Sequence, residues 1–344
     1  MMNFQPVISR VKAKLRPPLP LLDLAAEVRE LESASSVPCK LPLSLPGELE
    51  RVRDFLGGRE EQVPRLLATL REEGPTLSYR LPDALLADFT VYSGGRYDVY
   101  AGGPKRPVLT GSPDEFEEAQ LCTTSCAQTY FGHFLRESLP LEVLAGQRSM
   151  TALTFRRNPW LHEPGYRALV GLKPVETSFA RARNLWITDE RTLNQSWRSR
   201  FQKVRDAVRS KVTPTGDESV YLRRGTMGTA RILLNENAIC DRLQSEGFRI
   251  IAPETMAAAD IAAVLAGARL VACIEGSVQQ HAFVGMPAGA AMVSIQPPHR
   301  FNSVAKLLTD AIDATFAFTV AEPAEGGFSL NPDRLLRTLE LVQP

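Results

Sequence analysis

The sequence lacks the short motifs that most often identify a metal, redox or nucleotide site. Its five cysteines contain no C-x-x-C pair, which excludes zinc-ribbon and thioredoxin-like sites. The G-x-x-x-x-G-K-[ST] phosphate loop and the G-x-G-x-x-G dinucleotide fingerprint are both absent. We therefore expect no cofactor and no metal, and any phosphate site has to be built in another way.

Long hydrophobic runs are also missing. No stretch of about 18 apolar residues occurs, so we expect no transmembrane helix. The N-terminus carries Arg10, Lys12, Lys14 and Arg16, but it lacks the apolar region and the cleavage site of a signal peptide. The expected location is the cytoplasm, with reduced cysteines. A peripheral contact with the anionic inner membrane stays open.

The chain as a whole has almost no excess of positive or negative charge, because its net charge is only +1. Residues 156–211 nevertheless hold thirteen Lys and Arg against five Asp and Glu. A surface for phosphates or membrane lipids and an ordinary solvated helix face both fit this imbalance. Nucleic-acid binding has no other support, since the only interleaved tryptophans are Trp160, Trp186 and Trp197.

The length of 344 residues suits two domains. A polar stretch with Pro and Gly, residues 211–219, indicates the boundary between them. We predict a Pro-rich helical segment over 1–80, an N-terminal α/β domain over 81–212 and a C-terminal α/β domain over 213–344. Short helices are predicted within the first segment at 26–34 and 48–58.

Strands and helices alternate clearly after residue 219. Predicted strands cover 220–224, 248–252, 269–274 and 290–296, and predicted helices cover 235–247, 255–268, 277–285 and 302–313. Continuous apolar strands separated by helices indicate a parallel sheet covered on both faces, as in doubly wound α/β proteins. Before residue 213 the pattern predicts a hairpin within 87–103, strands at 152–155 and 184–188, and a basic helix near 195–210.

The apolar strand predicted at 269–274 ends abruptly in Glu275, Gly276 and Ser277. Ligands of doubly wound sheets bind at the carboxyl ends of the strands. Gly276 allows a tight turn, and Ser277 is expected to cap the next helix, whose free N–H groups favour an anion. Glu275 could accept hydrogen bonds from sugar hydroxyls, and His281 follows one helical turn later. A plain helix cap and a core histidine are the alternatives.

A second polar segment, Arg223-Arg224-Gly225, ends the strand predicted at 220–224. Arg231 lies in the following loop, and Asn235 is the expected N-cap of the next helix. Guanidinium groups bind phosphate oxygens in pairs and keep their charge, so two arginines at a strand end suit a diphosphate. An exposed basic loop is the alternative.

A third segment places His133 and Glu137 four residues apart on a predicted helix, where they share a face. Pro140 is expected to end or kink this helix. A histidine beside a carboxylate can act as a general base with an orienting partner. The polar edge of an ordinary amphipathic helix is the alternative.

Taken in order, these segments resemble glycosyltransferase family 61, in its bacterial capsular and exopolysaccharide branch. The resemblance covers roughly residues 85–320. It rests on FGHFLRESLP at 131–140, on Arg223-Arg224-Gly225, on Arg231, Leu233, Asn235 and Glu236, and on the late segment of Glu275 and His281. The late motif of the family often begins with His and ends with Asn, and here Glu275 and His281 stand at those places.

The resemblance implies a GT-B-like α/β architecture, in which two Rossmann-like domains with parallel sheets face a cleft. It implies an inverting, metal-independent glycosyltransferase that moves a sugar from a nucleotide-sugar donor to a glycan or glycolipid acceptor in surface polysaccharide biosynthesis. Arginines and helix termini would then carry the charge of the leaving diphosphate. The implied donor-binding residues are Arg223, Arg224, Arg231, Asn235, Glu275, Gly276, Ser277 and His281. Glu137, with His133 beside it, is the expected base.

Two alternatives remain. One is another GT-B-like transferase, such as a Kdo or pyruvyl transferase. The other is a non-catalytic partner that binds glycan or nucleotide, and the replacement of the family's histidine by Glu275 keeps it open.

Overall fold

The computed structural model describes residues 4–15, 20–101, 111–216, 218–225 and 231–342. The chain divides into two compact units, one of Met1–Ser35 and Glu73–Val204 and one of Ser36–Glu72 and Arg205–Pro344. The segment predicted as residues 1–80 therefore contributes to both units. The domain boundaries predicted at residues 80 and 212 stay predictions.

The elements of the first unit are mainly strands of one sheet and the helices that follow them. Its strands are β1 (Glu27–Glu32), β4 (Thr76–Ala87), β5 (Thr90–Ser93), β6 (Arg96–Val99), β7 (Asp114–Leu121), β8 (Thr151–Phe155), β9 (Val175–Thr177) and β10 (Phe179–Thr188). Its helices are α1 (Gln5–Leu15), α3 (Ser125–Thr129), α4 (Phe131–His133), α5 (Leu139–Gln147) and α6 (Glu163–Val170), and α7 (Gln195–Ser210) continues into the second unit.

The second unit consists of alternating strands and helices with a short hairpin. Its strands are β11 (Ser219–Leu222), β12 (Arg249–Ile251), β13 (Leu270–Ile274), β14 (Ala291–Gln296), β15 (Thr315–Val320), β16 (Glu322–Ala324) and β17 (Gly327–Ser329). Its helices are α2 (Arg59–Leu67), α8 (Glu236–Ser245), α9 (Ala258–Gly267), α10 (Gln279–Gly285), α11 (Val304–Ala311) and α12 (Pro332–Glu340). The strands β2 (Ser35–Pro38) and β3 (Leu70–Glu73) form a separate two-stranded sheet.

The main sheet of the second unit is parallel throughout, in the order β12-β11-β13-β14-β15. The strands β13 and β14 are buried along their whole length, which explains their uninterrupted apolar sequences. This confirms the alternation predicted from the sequence, and β15 adds a strand that was not predicted. The strand order reverses at β11 and β13, and the crevice at such a switch point is where ligands of doubly wound sheets bind.

The sheet of the first unit is mixed rather than wholly parallel, in the order β6-β5-β4-β10-β7-β8-β9. The strands from β10 to β9 pair in parallel, whereas β4 is antiparallel to β1, β5 and β10. The predicted hairpin within 87–103 is confirmed as β5 and β6, and the basic helix near 195–210 as α7. The helix predicted at 26–34 is wrong, because β1 pairs there with β4. The helix predicted at 48–58 is only a short 3-10 turn, Leu49–Arg51.

The described residues contain no helix with both the length and the apolar character needed to cross a membrane.

Candidate functional site

The two polar segments of the second unit lie next to each other at the switch point. Strands β11 and β13 pair so that Leu222 lies opposite Cys273. Arg223 and Arg224 therefore leave β11 at the same edge at which Glu275 leaves β13. The sequence predicted a site at the carboxyl ends of these strands, and the parallel pairing brings the two segments together.

The carboxylate of Glu275 is the centre of this cluster. Its side chain is almost fully buried, and its Oε2 lies 3.1 Å from Nε of Arg231 and 3.0 Å from Nη1 of Arg300. Its Oε1 accepts a hydrogen bond of 2.9 Å from Asn302. The backbone carbonyl of Glu275 accepts a hydrogen bond of 3.3 Å from Arg224 Nη1. Three guanidinium groups thus contact Glu275, and both of its carboxylate oxygens already contact protein groups.

Glycine is required beside this cluster. Gly276 has φ +142°, a conformation that L residues with a side chain rarely adopt. A Cβ atom at this position would lie 2.1 Å from Nη1 of Arg224 and 2.5 Å from Nη1 of Arg231. Because glycine has no side chain, two of the guanidinium groups can occupy this space.

The groups that meet at Glu275 carry a net positive charge, and a further carboxylate, that of Glu254, lies beside Gly225. Arg224, Arg231 and Arg300 carry three positive charges, and Glu275 supplies one negative charge. Glu236 supplies another, because its Oε1 accepts hydrogen bonds of 3.0 Å from Tyr221 and from the backbone N–H of Arg224. Burial lowers the pKa of Arg224, and the nearby charge of Arg300 lowers it further against the opposing effect of Glu275. An anion bound here would offset this repulsion, and a diphosphate has the matching charge and oxygen geometry.

Two of the predicted donor-site residues are engaged elsewhere. Arg223 donates from Nη2 to Asn237 on α8 at 2.7 Å. Asn235 precedes α8, as predicted, but its side chain makes no capping bond. Instead, it exchanges hydrogen bonds of 2.8 and 3.1 Å with the backbone of Leu330. Their roles in donor binding stay predictions.

The helix after β13 begins later than expected. Val278, not Ser277, is the N-cap of α10, so the capping role predicted for Ser277 is wrong. The physical reason is that Gly276 continues the turn in a left-handed conformation, which delays the first helical residue. Ser277 remains half-buried beside Gly276. His281 is buried, with 3% of its surface exposed.

Sequence reasoning missed Arg300 and Asn302, which both contact Glu275. They follow β14, the next strand of the sheet, which ends at Gln296. Glu275 was identified because it directly follows a buried strand, whereas Pro297, Pro298 and His299 separate Arg300 from the end of β14. Glu236 was part of the family resemblance but had been given no role in the site.

The third predicted segment forms a compact polar group in the first unit. Nδ1 of His133 contacts Oε1 of Glu137, and the hydroxyl of Thr124 donates to Oε2 of Glu137. Nε of Arg136 lies 3.5 Å from Oε1 of Glu137, and its Nη2 lies 2.8 Å from Nε2 of His133. Thr124 and Arg136 were not predicted as site residues.

The contact with Glu137 orients the imidazole of His133. A carboxylate oxygen accepts, so Nδ1 carries the hydrogen in this contact. Nη2 of Arg136 lies 3.1 Å from Nδ1 and 2.8 Å from Nε2, so one guanidinium nitrogen borders both ring nitrogens. Burial by itself raises the pKa of Glu137, but the contacts with His133, Arg136 and Thr124 outweigh it and hold the pKa below its usual value. The lowered pKa makes Glu137 a weak base, so His133 is the better candidate for the proton acceptor, with Glu137 as its orienting partner.

The backbone around this group departs from a regular helix. Residues Phe134–Ser138 form a π-helical turn between α4 and α5, and such turns are frequent at functional sites. Pro140 has no N–H and cannot donate to the carbonyl of Arg136, four residues earlier. The indole of Trp197 on α7 donates to this carbonyl instead, at 2.8 Å. The helix thus continues through Pro140, and the predicted end or kink appears as a π-helical turn.

No group of three or more His, Cys, Asp or Glu side chains arranged to hold a metal occurs within the described ranges.

Comparison with known proteins supports the resemblance to a sugar transferase. Residues 131–293, slightly less than half of the chain, match the family described as Glycosyltransferase 61. The matched region includes both His133 and Glu275. This match supports the glycosyltransferase class for the chain. No curated protein matches the chain in sequence.

Solved structures give only distant similarities. The chain is 11% identical to the bacterial iron-containing dodecameric glycosyltransferase TibC from enterotoxigenic E. coli H10407, with a TM-score of 0.31 over 75% of this chain and 80% of that one. It is 10% identical to a mutant flavo di-iron protein from Thermotoga maritima, with a TM-score of 0.29 over 79% of this chain and 65% of that one. The chain therefore spans slightly less than two thirds of the Thermotoga protein. Scores of this size do not establish a shared function.

Replacement of Gly276 tests the arginine cluster. We expect Gly276→Ala to lower the affinity for UDP or GDP by about tenfold or more, because its methyl group displaces two guanidinium groups that each make charge-assisted bonds. Gly289→Ala is the matched control, since Gly289 also has a positive φ (+76°) but no neighbour within 4 Å of a Cβ atom. Calorimetric titration measures both variants. Equal affinities in the two variants would contradict the role given to Gly276.

Replacement of Trp197 tests the support of the π-helical turn. We expect Trp197→Phe to lower the free energy of unfolding by about 1–3 kcal/mol, because it leaves the buried carbonyl of Arg136 without its donor. Trp160→Phe is the control, since the indole nitrogen of Trp160 has no hydrogen-bond partner among the described residues. Urea denaturation measures both. Two equally small losses would show that the indole bond contributes little.

Proposed function

We propose that the protein transfers a sugar from a nucleotide-sugar donor to a hydroxyl of a glycan or glycolipid acceptor in surface polysaccharide biosynthesis. The family match supports the glycosyltransferase class. The donor type, the acceptor, the capsular context and a cytoplasmic location with peripheral membrane contact are parts of the proposal.

The observation that carries the proposal is the convergence of Arg224, Arg231 and Arg300 on Glu275 at the switch point. In a sugar transfer, negative charge accumulates on the leaving nucleoside diphosphate as the bond to the sugar breaks. Fixed guanidinium groups stabilise this charge without having to reorganise. They serve the same purpose as a metal ion, so the proposed reaction is metal-independent.

In this proposal the second unit binds the donor and the first unit binds the acceptor, in a GT-B-like arrangement. The acceptor hydroxyl gives its proton to the imidazole of His133 as its oxygen attacks the anomeric carbon. Glu137 holds the imidazole in position and stabilises the imidazolium that forms. One displacement of this kind inverts the configuration at the anomeric carbon, and it needs no covalent enzyme intermediate.

A thermal-shift screen without metal tests donor binding. UDP, GDP, CMP and their common sugar conjugates are the ligands, because a bound ligand raises the melting temperature by mass action. We expect one nucleotide to give a selective rise, and we expect Arg224→Ala to abolish it. Arg223→Ala is the matched variant and should have the smaller effect, since Arg223 is engaged by Asn237.

The screen also separates the alternatives. A response to CMP conjugates alone would favour a Kdo transferase, and a requirement for phosphoenolpyruvate would favour a pyruvyl transferase. The absence of any shift, in a protein that melts cooperatively, would count against the donor site. Binding of a donor without any turnover would favour a non-catalytic binding partner.

Variants of the His133 and Glu137 pair test the assignment of the base. With the donor found in the screen, turnover is measured as release of nucleotide, either to an acceptor or by slow hydrolysis. We expect His133→Ala and Glu137→Gln to lower turnover by about a hundredfold or more with nucleotide binding unchanged. Cys126→Ser, an exposed change near the pair, is the control. Full turnover in a His133→Ala, Glu137→Gln double variant would show that the base lies elsewhere.

A further inference from the structure

A hollow of about 340 Å³ in the first unit has neither His133 nor Glu137 in its lining. It lies where β1, the end of α5 and α7 meet. Its polar lining includes Arg29, Arg148, Ser196, Ser199 and Arg200. Its volume falls in the range of small-molecule sites. Among the residues that the structure describes, its lining contains three guanidinium groups and no carboxylate.

Two of these arginines lie against the same aromatic ring. The guanidinium carbons of Arg29 and Arg148 lie 4.3 and 4.2 Å from the ring centroid of Trp186 on β10. Arg29 has a carboxylate partner, because its Nε donates to Glu27. Arg148 donates instead to a neutral hydroxyl, that of Ser78, at 2.9 Å. Its buried Nη2 has no hydrogen-bond partner among the residues that the structure describes.

Arg200 is the third cation and the most deeply buried, with 3% of its surface exposed. It pairs with Glu190 through Nη2 and donates from Nη1 to Ser196 at 2.6 Å. Its Nε is buried and finds no partner within the described ranges. A buried N–H group without an acceptor costs about 1–3 kcal/mol, and more when the group is charged. Arg148 and Arg200, which both line the hollow, therefore each carry one buried donor without an acceptor among the described residues.

The nearby carboxylates neutralise the charge of the hollow only in part. Glu27 accepts hydrogen bonds from both Arg29 and Arg80. Glu118 accepts a bond of 2.8 Å from the indole of Trp186, and Glu190 is bound to Arg200. Burial lowers the pKa of Arg148, and the charge of Arg29 lowers it further. A mobile anion in the hollow would relieve this repulsion.

We propose that this hollow binds a phosphate group, with Arg148 and Arg200 as its main charged ligands and the hydroxyls of Ser196 and Ser199 at its rim. Guanidinium and hydroxyl donors together match the several acceptor oxygens of a phosphate. The assignment of this phosphate to the acceptor substrate rests on the proposed function. The acceptor would then be a phosphorylated sugar, either soluble or carried by a lipid.

Titration with inorganic diphosphate tests the hollow. The experiment uses the Arg224→Ala protein, in which the cluster of the second unit is weakened. We expect diphosphate to bind this protein, and a further Arg148→Met change to raise the Kd by about tenfold or more. Arg183→Gln in the same background is the control, because Arg183 lies exposed on β10 with Glu117 as its partner at 3.2 Å. Its Kd should be unchanged.

A second variant and two negative outcomes complete this test. If Arg148→Met fails to fold, Ser199→Glu adds a carboxylate at the rim and should weaken diphosphate binding as well. Loss of all diphosphate binding in Arg224→Ala alone, or no effect of the Arg148 and Ser199 changes, would overturn the proposal. The nucleotide screen reports the second unit separately, so the two proposals can fail independently.

A vesicle experiment distinguishes the sources of the phosphate. Phosphatidylcholine vesicles with and without phosphatidic acid are sedimented with the protein. Sedimentation that depends on phosphatidic acid and is lost in Arg148→Met would support a lipid-carried phosphate. Binding of diphosphate without sedimentation would support a soluble phosphate. Sedimentation that Arg148→Met leaves unchanged would count against the hollow as the lipid site.

Discussion

The candidate donor site depends on one buried carboxylate. Three guanidinium groups repel one another, and they can converge at the end of a strand only if an anion holds them. Glu275 supplies this anion, and the strand fixes its position because its N–H donates to the carbonyl of Ile295 at 2.9 Å. The cluster is therefore an extension of the β13–β14 ladder, and its rigidity comes from the sheet.

This arrangement explains why an acidic residue belongs in a site for an anionic ligand. Arg231 and Arg300 contact Oε2 of Glu275 and Asn302 donates to Oε1, so neither oxygen is left to repel a phosphate. The remaining positive charge comes largely from Arg224, whose Nη1 donates to the backbone carbonyl of Glu275 rather than to its carboxylate. The carboxylate orients the cations, and the excess of cations binds the ligand. Glu275 can thus act through its neighbours without touching a sugar.

The sequence predicted four of the five strands in the parallel sheet of the second unit, because their signals are local. Each of these strands contains an apolar run that ends at a polar turn or a helix, and parallel pairing follows from the helices between the strands. The first unit was harder. Residues 27–32 have the charged, amphipathic composition of a helix, but pairing with β4 overrides that preference. The strand β7 is rich in acids, and its Glu115 and Glu117 lie beside Arg181 and Arg183 of β10. Such cross-strand pairs are not visible in either strand alone.

The candidate site likewise combines residue positions that the local sequence predicts with contacts that depend on distant parts of the chain. The positions of Arg224, Glu275 and His133 followed from strand ends and helix spacing. What these residues do depends on partners far along the chain. Pro140 indicates that the carbonyl of Arg136 lacks its usual N–H donor. Only the fold shows that the indole of Trp197, 61 residues after Arg136, donates to this carbonyl instead. This replacement lets the helix pass through a proline as a π-helical turn, and His133, Arg136 and Glu137 contact one another within and just before that turn.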